Sequence, residues 1–206
     1  MSKLTLYHYY RSTCSWRVRW ALHYKGIAFE SVAVNLLKGE QNQEQYALLN
    51  PMSYVPSLSI DGESFSESIA ILEWLEEAYP NPSLLPQDPR SRMRVRQLYQ
   101  LIGSGVQPLQ NLGVQRYFSK EKEKQLEYAR HWIDKGFSAY ETLLEKTKGS
   151  FSFGESLSLA DICLVPQCYN ALRFGLELEK YPKIHEIYNR CLKLEHYQKS
   201  VPEKYQ

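Results

Sequence analysis

Hydroxyl and thiol side chains are concentrated in one short run near the N-terminus. Ser12-Thr13-Cys14-Ser15 stands where a strand-like segment, residues 4–8, gives way to a helical pattern. Hydroxyl donors and free backbone N–H groups at a helix start favour an ionised sulfur and bring the pKa of a thiol toward neutrality. The run therefore predicts a site that stabilises a thiolate. Capping of the helix by Ser12 or Thr13 explains the same residues, and the two roles are compatible.

Cys14 could itself be reactive, but the neighbouring sequence excludes a dithiol centre. A thioredoxin-type pair needs a second cysteine three positions away, and those positions hold Arg11 and Arg17. Cys14 is therefore either a single nucleophile or the first residue of the helix's apolar stripe. None of the four cysteines has the spacing of a zinc cluster or a disulfide scaffold, so we expect reduced thiols and no metal.

A second candidate site lies at residues 55–68. Ser66-Glu67-Ser68 opens a helical pattern, so its N–H groups could hold a carboxylate while Glu67 accepts from an ammonium. That combination suits an amino acid headgroup, although the spacing alone favours simple capping by Ser66, with Glu67 complementing the helix dipole. Val55-Pro56 precedes a hairpin in a thioredoxin-like order of elements, where a cis proline leaves the Val55 backbone facing outward for an extended peptide.

Two arginines are candidates for binding carboxylates. Arg11 directly precedes the thiolate site, and Arg173 lies near the end of a helix that closes at Gly175. A cation in the last helical turn also neutralises carbonyl charge, so Arg173 has an equally good structural explanation. Arg17 and Arg19, in the first helix, are predicted to be solvated.

The patterns predict two domains. Residues 1–80 read βαβ, helix, ββα, with Asp61-Gly62 as a two-residue hairpin turn. Clustered prolines indicate a linker at 81–89, and residues 90–206 form an all-helical domain without a convincing strand. The predicted helical segments run over about 88–117, 120–147, 159–174 and 181–195. The fold class is an α/β thioredoxin-like domain followed by an all-α domain.

Composition excludes several kinds of partner. The 206 residues carry 25 Lys and Arg against 23 Asp and Glu, with no long run of one sign. A dedicated nucleic-acid or anionic-membrane partner is not indicated. No apolar stretch reaches the roughly 18 residues of a membrane span, and the N-terminus lacks a signal-peptide pattern. We therefore expect a cytoplasmic protein.

The residues also resemble a known family. Arg11 to Arg19, R-S-T-C-S-W-R-V-R, is similar to the S-S-C-S-W-R-V-R signature of zeta-class glutathione transferases. The likeness extends over nearly the whole chain through Asn50-Pro51, Val55-Pro56, Glu67 to Ile71, Leu85 to Pro89, Gln107 to Leu112, Leu159 to Asp161 and Leu164 to Gln167. The resemblance implies a glutathione transferase architecture, with a glutathione-binding first domain, a helical domain that shapes the second-substrate pocket, and a homodimer.

The same resemblance assigns roles to individual residues. The implied catalytic residues, which face the glutathione sulfur, are Ser12, Thr13 and Cys14. The other implied glutathione ligands are Gln41, Val55, Glu67, Ser68, Gln107 and Asn111, and the clamps for substrate carboxylates are Arg11 and Arg173. Thr13 departs from the family's second serine, and Glu67 stands where some relatives have Gln.

The implied activity is glutathione-dependent isomerisation of maleylacetoacetate to fumarylacetoacetate, a step of tyrosine and phenylalanine catabolism. It proceeds by thiolate addition, bond rotation and elimination, with a small dicarboxylic diketo acid as substrate. Maleylpyruvate isomerase is the nearest alternative, but its members tend to carry His and Arg where this chain has residues 107–113. General conjugation or dehalogenation could accompany the activity. A non-catalytic interaction module is the alternative of a different class, and the hydroxyl-rich turn argues against it.

Overall fold

The computed structural model describes residues 2–206. The strands are β1 (Leu4–His8), β2 (Glu30–Ala33), β3 (Ser57–Ile60) and β4 (Glu63–Ser66). The helices are α1 (Thr13–Tyr24), α2 (Glu44–Ala47), α3 (Ser68–Ala78), α4 (Pro89–Gln100), α5 (Leu112–Phe118), α6 (Lys122–Leu144), α7 (Leu159–Arg173), α8 (Pro182–Cys191) and α9 (Glu195–Ser200). The chain forms two compact units, the first up to Ser83 together with Lys193–Gln206, and the second Leu84–Leu192.

The first unit contains a four-stranded mixed sheet in the order β2-β1-β3-β4. β2 runs parallel to β1, whereas β3 is antiparallel to both β1 and β4. The register pairs Tyr7 with Ser57 and Ser57 with Ser66. The end of β1, the start of β3 and the end of β4 therefore lie at one edge of the sheet. The predicted βαβ, helix, ββα order is confirmed.

Local signals set the ends of the first unit's elements. Ser12 caps α1 by accepting from the Ser15 N–H at 3.2 Å. At the other end Gly26 has φ of 64°, and the following N–H, of Ile27, donates to the Leu22 carbonyl at 3.0 Å. This is a Schellman closure, which requires a left-handed residue. The β3–β4 turn, Asp61-Gly62, has positive φ at both positions, as a two-residue hairpin needs.

The prediction that Arg17 and Arg19 are solvated is wrong. Both are buried, with exposures of 1% and 0%. Arg19 donates to the carbonyls of Tyr10 at 2.9 Å and of Ser200 at 3.3 Å, and lies against His8 Nδ1 at 3.1 Å. Helix α1 packs against both α3 and α9, so the face that carries these arginines is covered rather than open to water.

The C-terminal segment is part of the first unit, which differs from the predicted domain over 90–206. The Trp16 indole N–H donates to Ser200 Oγ at 2.9 Å, and the Trp20 indole N–H donates to His196 Nδ1 at 2.7 Å. Helix α9 thus covers α1 from the far end of the sequence. No periodicity in the sequence indicates which distant helix meets which face.

A buried ion pair joins the two helices that begin at the sheet edge. Lys25, at the end of α1, lies 2.6 Å from Glu76 of α3, and both side chains are almost fully buried. Lys25 also donates to the carbonyls of Tyr79 at 2.7 Å and Pro82 at 2.9 Å. These hydrogen bonds offset the cost of desolvating the charges. They fix the spacing of α1 and α3.

The second unit is helical throughout its regular structure. The predicted helix at 88–117 is divided, because a π-helical turn, Leu101–Val106, follows α4 and the chain then turns at 107–110 before α5. A capping box opens α7: the buried Asp161 carboxylate accepts from the Ser158 N–H at 2.9 Å and the Ser152 N–H at 2.7 Å.

Between α3 and α4 the chain has no regular structure, as the clustered prolines predict. Leu84 in this segment is buried, and its carbonyl accepts from the Leu159 N–H at 2.9 Å. Across residues 2–206, no helix has the length and apolar character that crossing a bilayer requires.

We predict that the free energy of unfolding falls as the pH is lowered from about 6.5 toward 3. Burial, followed by the neighbouring Arg19 charge, lowers the pKa of His8 to about 3. Between these pH values the unfolded state binds a proton that folded His8 does not, so acid favours unfolding. His8 alone should lower the free energy of unfolding by about 1.4 kcal/mol for each fall of one pH unit in this range. Chemical denaturation at several pH values measures this slope.

The His8→Asn variant should have a shallower pH slope than the parent, whatever its absolute stability. His131→Asn, at an exposed position on α6, serves as the control and should keep the parental slope. Burial also lowers the pKa values of His23 and His196, so part of the slope should persist in the His8 variant. An unchanged slope in His8→Asn would contradict the assignment.

Candidate active site

The start of α1 presents unused hydrogen-bond donors at the sheet edge. The N–H groups of Thr13 and Cys14 have no partner among residues 2–206, because the Ser12 cap takes up only the Ser15 N–H. Ser12 and Cys14 are partly exposed, whereas the Thr13 side chain is 3% exposed. Free N–H groups and the helix dipole favour a negative charge at this position. The predicted thiolate site therefore combines Ser12, Cys14 and backbone donors.

The start of α3 is a second helix N-terminus with unused donors. Its N-cap residue, Glu67, has φ of 68° and makes no side-chain cap bond. The N–H groups of Ser68 and Ile69 have no partner within the described chain. A non-glycine residue in the left-handed region costs of the order of 1 kcal/mol, and such residues cluster at binding sites. The exposed Glu67 carboxylate and the helix N-terminus together suit a zwitterionic headgroup.

Val55 presents its backbone between these two helix starts. The Val55–Pro56 peptide bond is cis, as the sequence predicts. The Val55 side chain packs with Val34 and Tyr46, and its N–H and C=O have no hydrogen-bond partner in residues 2–206. An extended peptide can pair with exposed backbone groups of this kind.

Gln41 and Arg11 are the remaining predicted residues of the first unit. Gln41 lies in a 3-10 turn after Gly39, and its buried Oε1 lacks a hydrogen-bond partner in the described part of the chain. Arg11 is exposed and lies over the Tyr10 ring, with 5.0 Å from its guanidinium carbon to the ring centroid. Its guanidinium remains available to a carboxylate.

The second unit places Gln107 and Asn111 around a turn. Gln107 ends the π-helical turn, and Asn111 caps α5, with Oδ1 accepting from the Gly113 N–H at 3.0 Å. Glycine at position 136 of α6 is needed here, since an added Cβ would lie 2.1 Å from a methyl group of Val106. The close approach of α6 therefore supports the turn that carries Gln107.

Arg173 is the last residue of α7, and Gly175 closes the helix with φ of 82°. The exposed guanidinium donates to Asn170 Oδ1 at 3.2 Å and lies 5.6 Å from the Tyr169 ring centroid. Both contacts come from its own helix and leave donors free. Arg173 can therefore neutralise the carbonyl charge at the helix end and bind an anion as well.

The sheet register brings the first-unit residues to one edge, where α1 begins, Val55 precedes β3, and Glu67 and Ser68 follow β4. Sequence reasoning missed Arg17, which donates through Nη1 to Ser68 Oγ at 3.3 Å. The one available signal was its spacing, four residues after Thr13 and therefore on the same helix face. Among the described residues no group of three or more His, Cys, Asp or Glu side chains could hold a metal ion.

The two-unit architecture and the group of residues at this edge of the sheet are those of a known class of protein. The family model "Glutathione S-transferase, N-terminal domain" matches residues 6–83, and "Glutathione S-transferase, C-terminal domain" matches residues 107–195. The chain therefore belongs to the glutathione S-transferase family, and within it to the zeta-class and maleylacetoacetate isomerase branch.

The chain is similar to particular members of this branch. It is 48% identical to a maleylacetoacetate isomerase of Mus musculus, over 98% of this chain and 94% of the relative. A maleylacetoacetate isomerase structure from Anaeromyxobacter dehalogenans 2CP-1, with dicarboxyethyl glutathione and citrate bound in its active site, is 44% identical with a TM-score of 0.88, covering 98% and 92%. The holo structure of a bacterial zeta-class maleyl pyruvate isomerase is 38% identical with a TM-score of 0.93, covering 96% of each chain.

Proposed function

We propose that the protein is a glutathione-dependent isomerase that converts maleylacetoacetate to fumarylacetoacetate. The observation that carries the proposal is the pair of helix N-termini with free N–H groups, at the starts of α1 and α3, on either side of the unpaired Val55 backbone. This edge offers two sites for negative charge separated by a peptide-binding segment.

Glutathione fits this arrangement group by group. Its γ-glutamyl headgroup would lie at the start of α3, with the ammonium on Glu67 and the carboxylate at Ser68. The peptide portion would pair with the Val55 backbone, near the unpartnered Gln41 Oε1. The sulfur would lie at Ser12, Thr13 and Cys14. The family resemblance adds Gln107 and Asn111 to the proposed glutathione ligands.

When bound, glutathione would supply a thiolate whose reversible addition converts the cis double bond to a single bond that can rotate, and whose elimination restores the double bond in the trans form. The chain's own residues prepare that chemistry electrostatically. Ser12 and the first N–H groups of α1 hold the sulfur in its ionised form at neutral pH. Arg11 and Arg173 bind the carboxylates of the diacid and stabilise negative charge that develops on it. Orientation of the two reactants supplies much of the remaining catalysis.

The substrate assignment follows the relatives. The Anaeromyxobacter relative binds a glutathione that carries a dicarboxyethyl group, the kind of adduct that thiolate addition to an unsaturated diacid gives. Identity is higher to the maleylacetoacetate isomerase of Mus musculus, 48%, than to the maleyl pyruvate isomerase, 38%. We therefore favour the longer diacid. We also propose a homodimer, as the resemblance implies, and a cytoplasmic location, in keeping with four cysteines that form no disulfide.

The first prediction from this proposal concerns turnover. With glutathione present, maleylacetoacetate should be isomerised faster than maleylpyruvate, and neither should react enzymatically without it. A coupled assay with a fumarylacetoacetate hydrolase follows the trans product, and a fumarylpyruvate hydrolase serves the second substrate. A preference for maleylpyruvate would change the proposed substrate but leave the proposed mechanism in place. Inactivity on both, with glutathione bound, would favour a conjugating or non-catalytic role.

Ser12→Ala should raise the pKa of the bound glutathione thiol by about one, because a hydroxyl donor to the thiolate is lost. The variant should also lose about 1 kcal/mol of unfolding free energy with the helix cap. Ser12→Asp restores the cap but not the donor, so it should recover stability while the thiol pKa stays high. Ultraviolet titration of the thiolate and chemical denaturation measure the two effects. An unchanged titration in Ser12→Ala would show that Cys14 or the backbone donors, rather than Ser12, stabilise the glutathione thiolate.

Arg173→Ala should raise KM for the diacid by about 10- to 100-fold, the range expected for a lost charged hydrogen bond. KM for glutathione should change little, since Arg173 is not among the proposed glutathione ligands. Arg190→Ala, which removes an exposed arginine from α8, is the matched control and should behave like the parent. Equal effects of Arg173→Ala on both KM values would refute the clamp.

A further inference from the structure

Arg17 is a buried cation whose hydrogen-bonding capacity is largely unused. Its exposure is 1%, and its one hydrogen bond runs from Nη1 to Ser68 Oγ at 3.3 Å. Within residues 2–206, Nε and Nη2 have no hydrogen-bond partner, and no carboxylate forms an ion pair with the guanidinium. Buried charges in proteins are normally paired and hydrogen-bonded, so this one requires a reason.

Arg19, two residues further along α1, shows what a structural arginine has in the same helix. It is 0% exposed and reaches the carbonyls of Tyr9, Tyr10 and Ser200, as well as the ring nitrogen of His8. Arg17 has one neutral hydroxyl instead. A guanidinium cannot escape the cost of burial by losing its proton, so a compensating anion is expected from outside the chain.

Arg17 also determines what the Ser68 hydroxyl can do. A guanidinium has donors and no acceptor, so Ser68 Oγ must accept from it and its own proton is free to donate elsewhere. Ser68 stands at the start of α3, beside the unused N–H groups of Ser68 and Ile69. The hydroxyl proton, the N–H groups, the helix dipole and the buried charge all favour an anion at the same point.

We propose that Arg17 is a positioning residue for the α-carboxylate of an amino acid headgroup, acting through Ser68. It holds the Ser68 hydroxyl as a donor and supplies the buried positive charge that the carboxylate neutralises. The inference rests on the proposed binding of glutathione, whose γ-glutamyl group is the headgroup in question. If Arg17 has this role, its unpaired charge destabilises the ligand-free protein, and the bound carboxylate removes that destabilisation.

Calorimetric titration with S-methylglutathione, which cannot react, separates this role from catalysis. The parent should bind it at least tenfold more tightly than the analogue in which γ-aminobutyrate replaces the γ-glutamyl group, because the analogue lacks the α-carboxylate. Arg17→Met should bind both ligands with similar, weak affinity. Arg17→Lys keeps the charge but not the planar guanidinium, so its affinity for S-methylglutathione should lie between those of the parent and of Arg17→Met. In a Ser68→Ala background, Arg17→Met should have a much smaller effect.

Stability of the ligand-free protein provides the second readout. Arg17→Met should unfold at the same or higher denaturant concentration than the parent, because an unpaired buried charge is removed. Arg19→Met, the matched variant in the same helix, should be strongly destabilised, since it leaves several buried carbonyls without donors.

The outcomes are distinct. A parent that discriminates between the two ligands, together with an Arg17→Met variant that binds S-methylglutathione as tightly as the parent, would overturn the role of Arg17 and leave the proposed function intact. Loss of stability in Arg17→Met comparable to that of Arg19→Met, including failure to fold, would make the residue structural and also overturn the inference. A parent that does not bind S-methylglutathione would overturn both proposals.

Discussion

The first unit is organised around the buried guanidinium of Arg19. It donates to the Tyr9 and Tyr10 carbonyls, which lie in the loop between β1 and α1, and to the Ser200 carbonyl at the end of α9. Burial lowers its pKa to about 10, so it remains charged at neutral pH, and it lies over the Tyr205 ring. Because that loop leads directly to Ser12, the same cation holds the C-terminal segment and sets the position of the candidate thiolate site.

The candidate site depends on helix ends more than on individual charged side chains. Two helices begin at one edge of the sheet, and each leaves N–H groups unpaired toward a prospective anion. The buried Lys25–Glu76 ion pair fixes their spacing in the later turns, and the Arg17–Ser68 hydrogen bond links them near their starts. Fixed dipoles of this kind need no reorganisation when charge appears, which suits a thiolate and a carboxylate bound by the same small peptide.

The second unit supports its candidate residues by a different means. Gln107 and Asn111 stand around a turn that a π-helical segment introduces after α4, and Gly136 admits Val106 at a distance that a side chain would forbid. Asp161 satisfies several buried donors at the start of α7, the helix that ends at Arg173. These buried groups therefore stabilise the fold of the second unit. Its candidate ligand-binding residues lie at the ends of helices.

The sequence by itself determined the features that depend on neighbouring residues. The Ser12 cap, the Gly26 closure, the Asp61-Gly62 hairpin, the capping box at Ser158 and the end of α7 at Gly175 all follow from contacts a few residues apart. The family signature identified the class and nominated the site residues, because it lies where those local signals coincide. Tertiary structure alone decided that Arg17 and Arg19 are buried, that Arg17 lies beside Ser68, and that α9 completes the first unit. These features join residues 51 and 181 positions apart, and a residue's burial depends on which distant segment covers it.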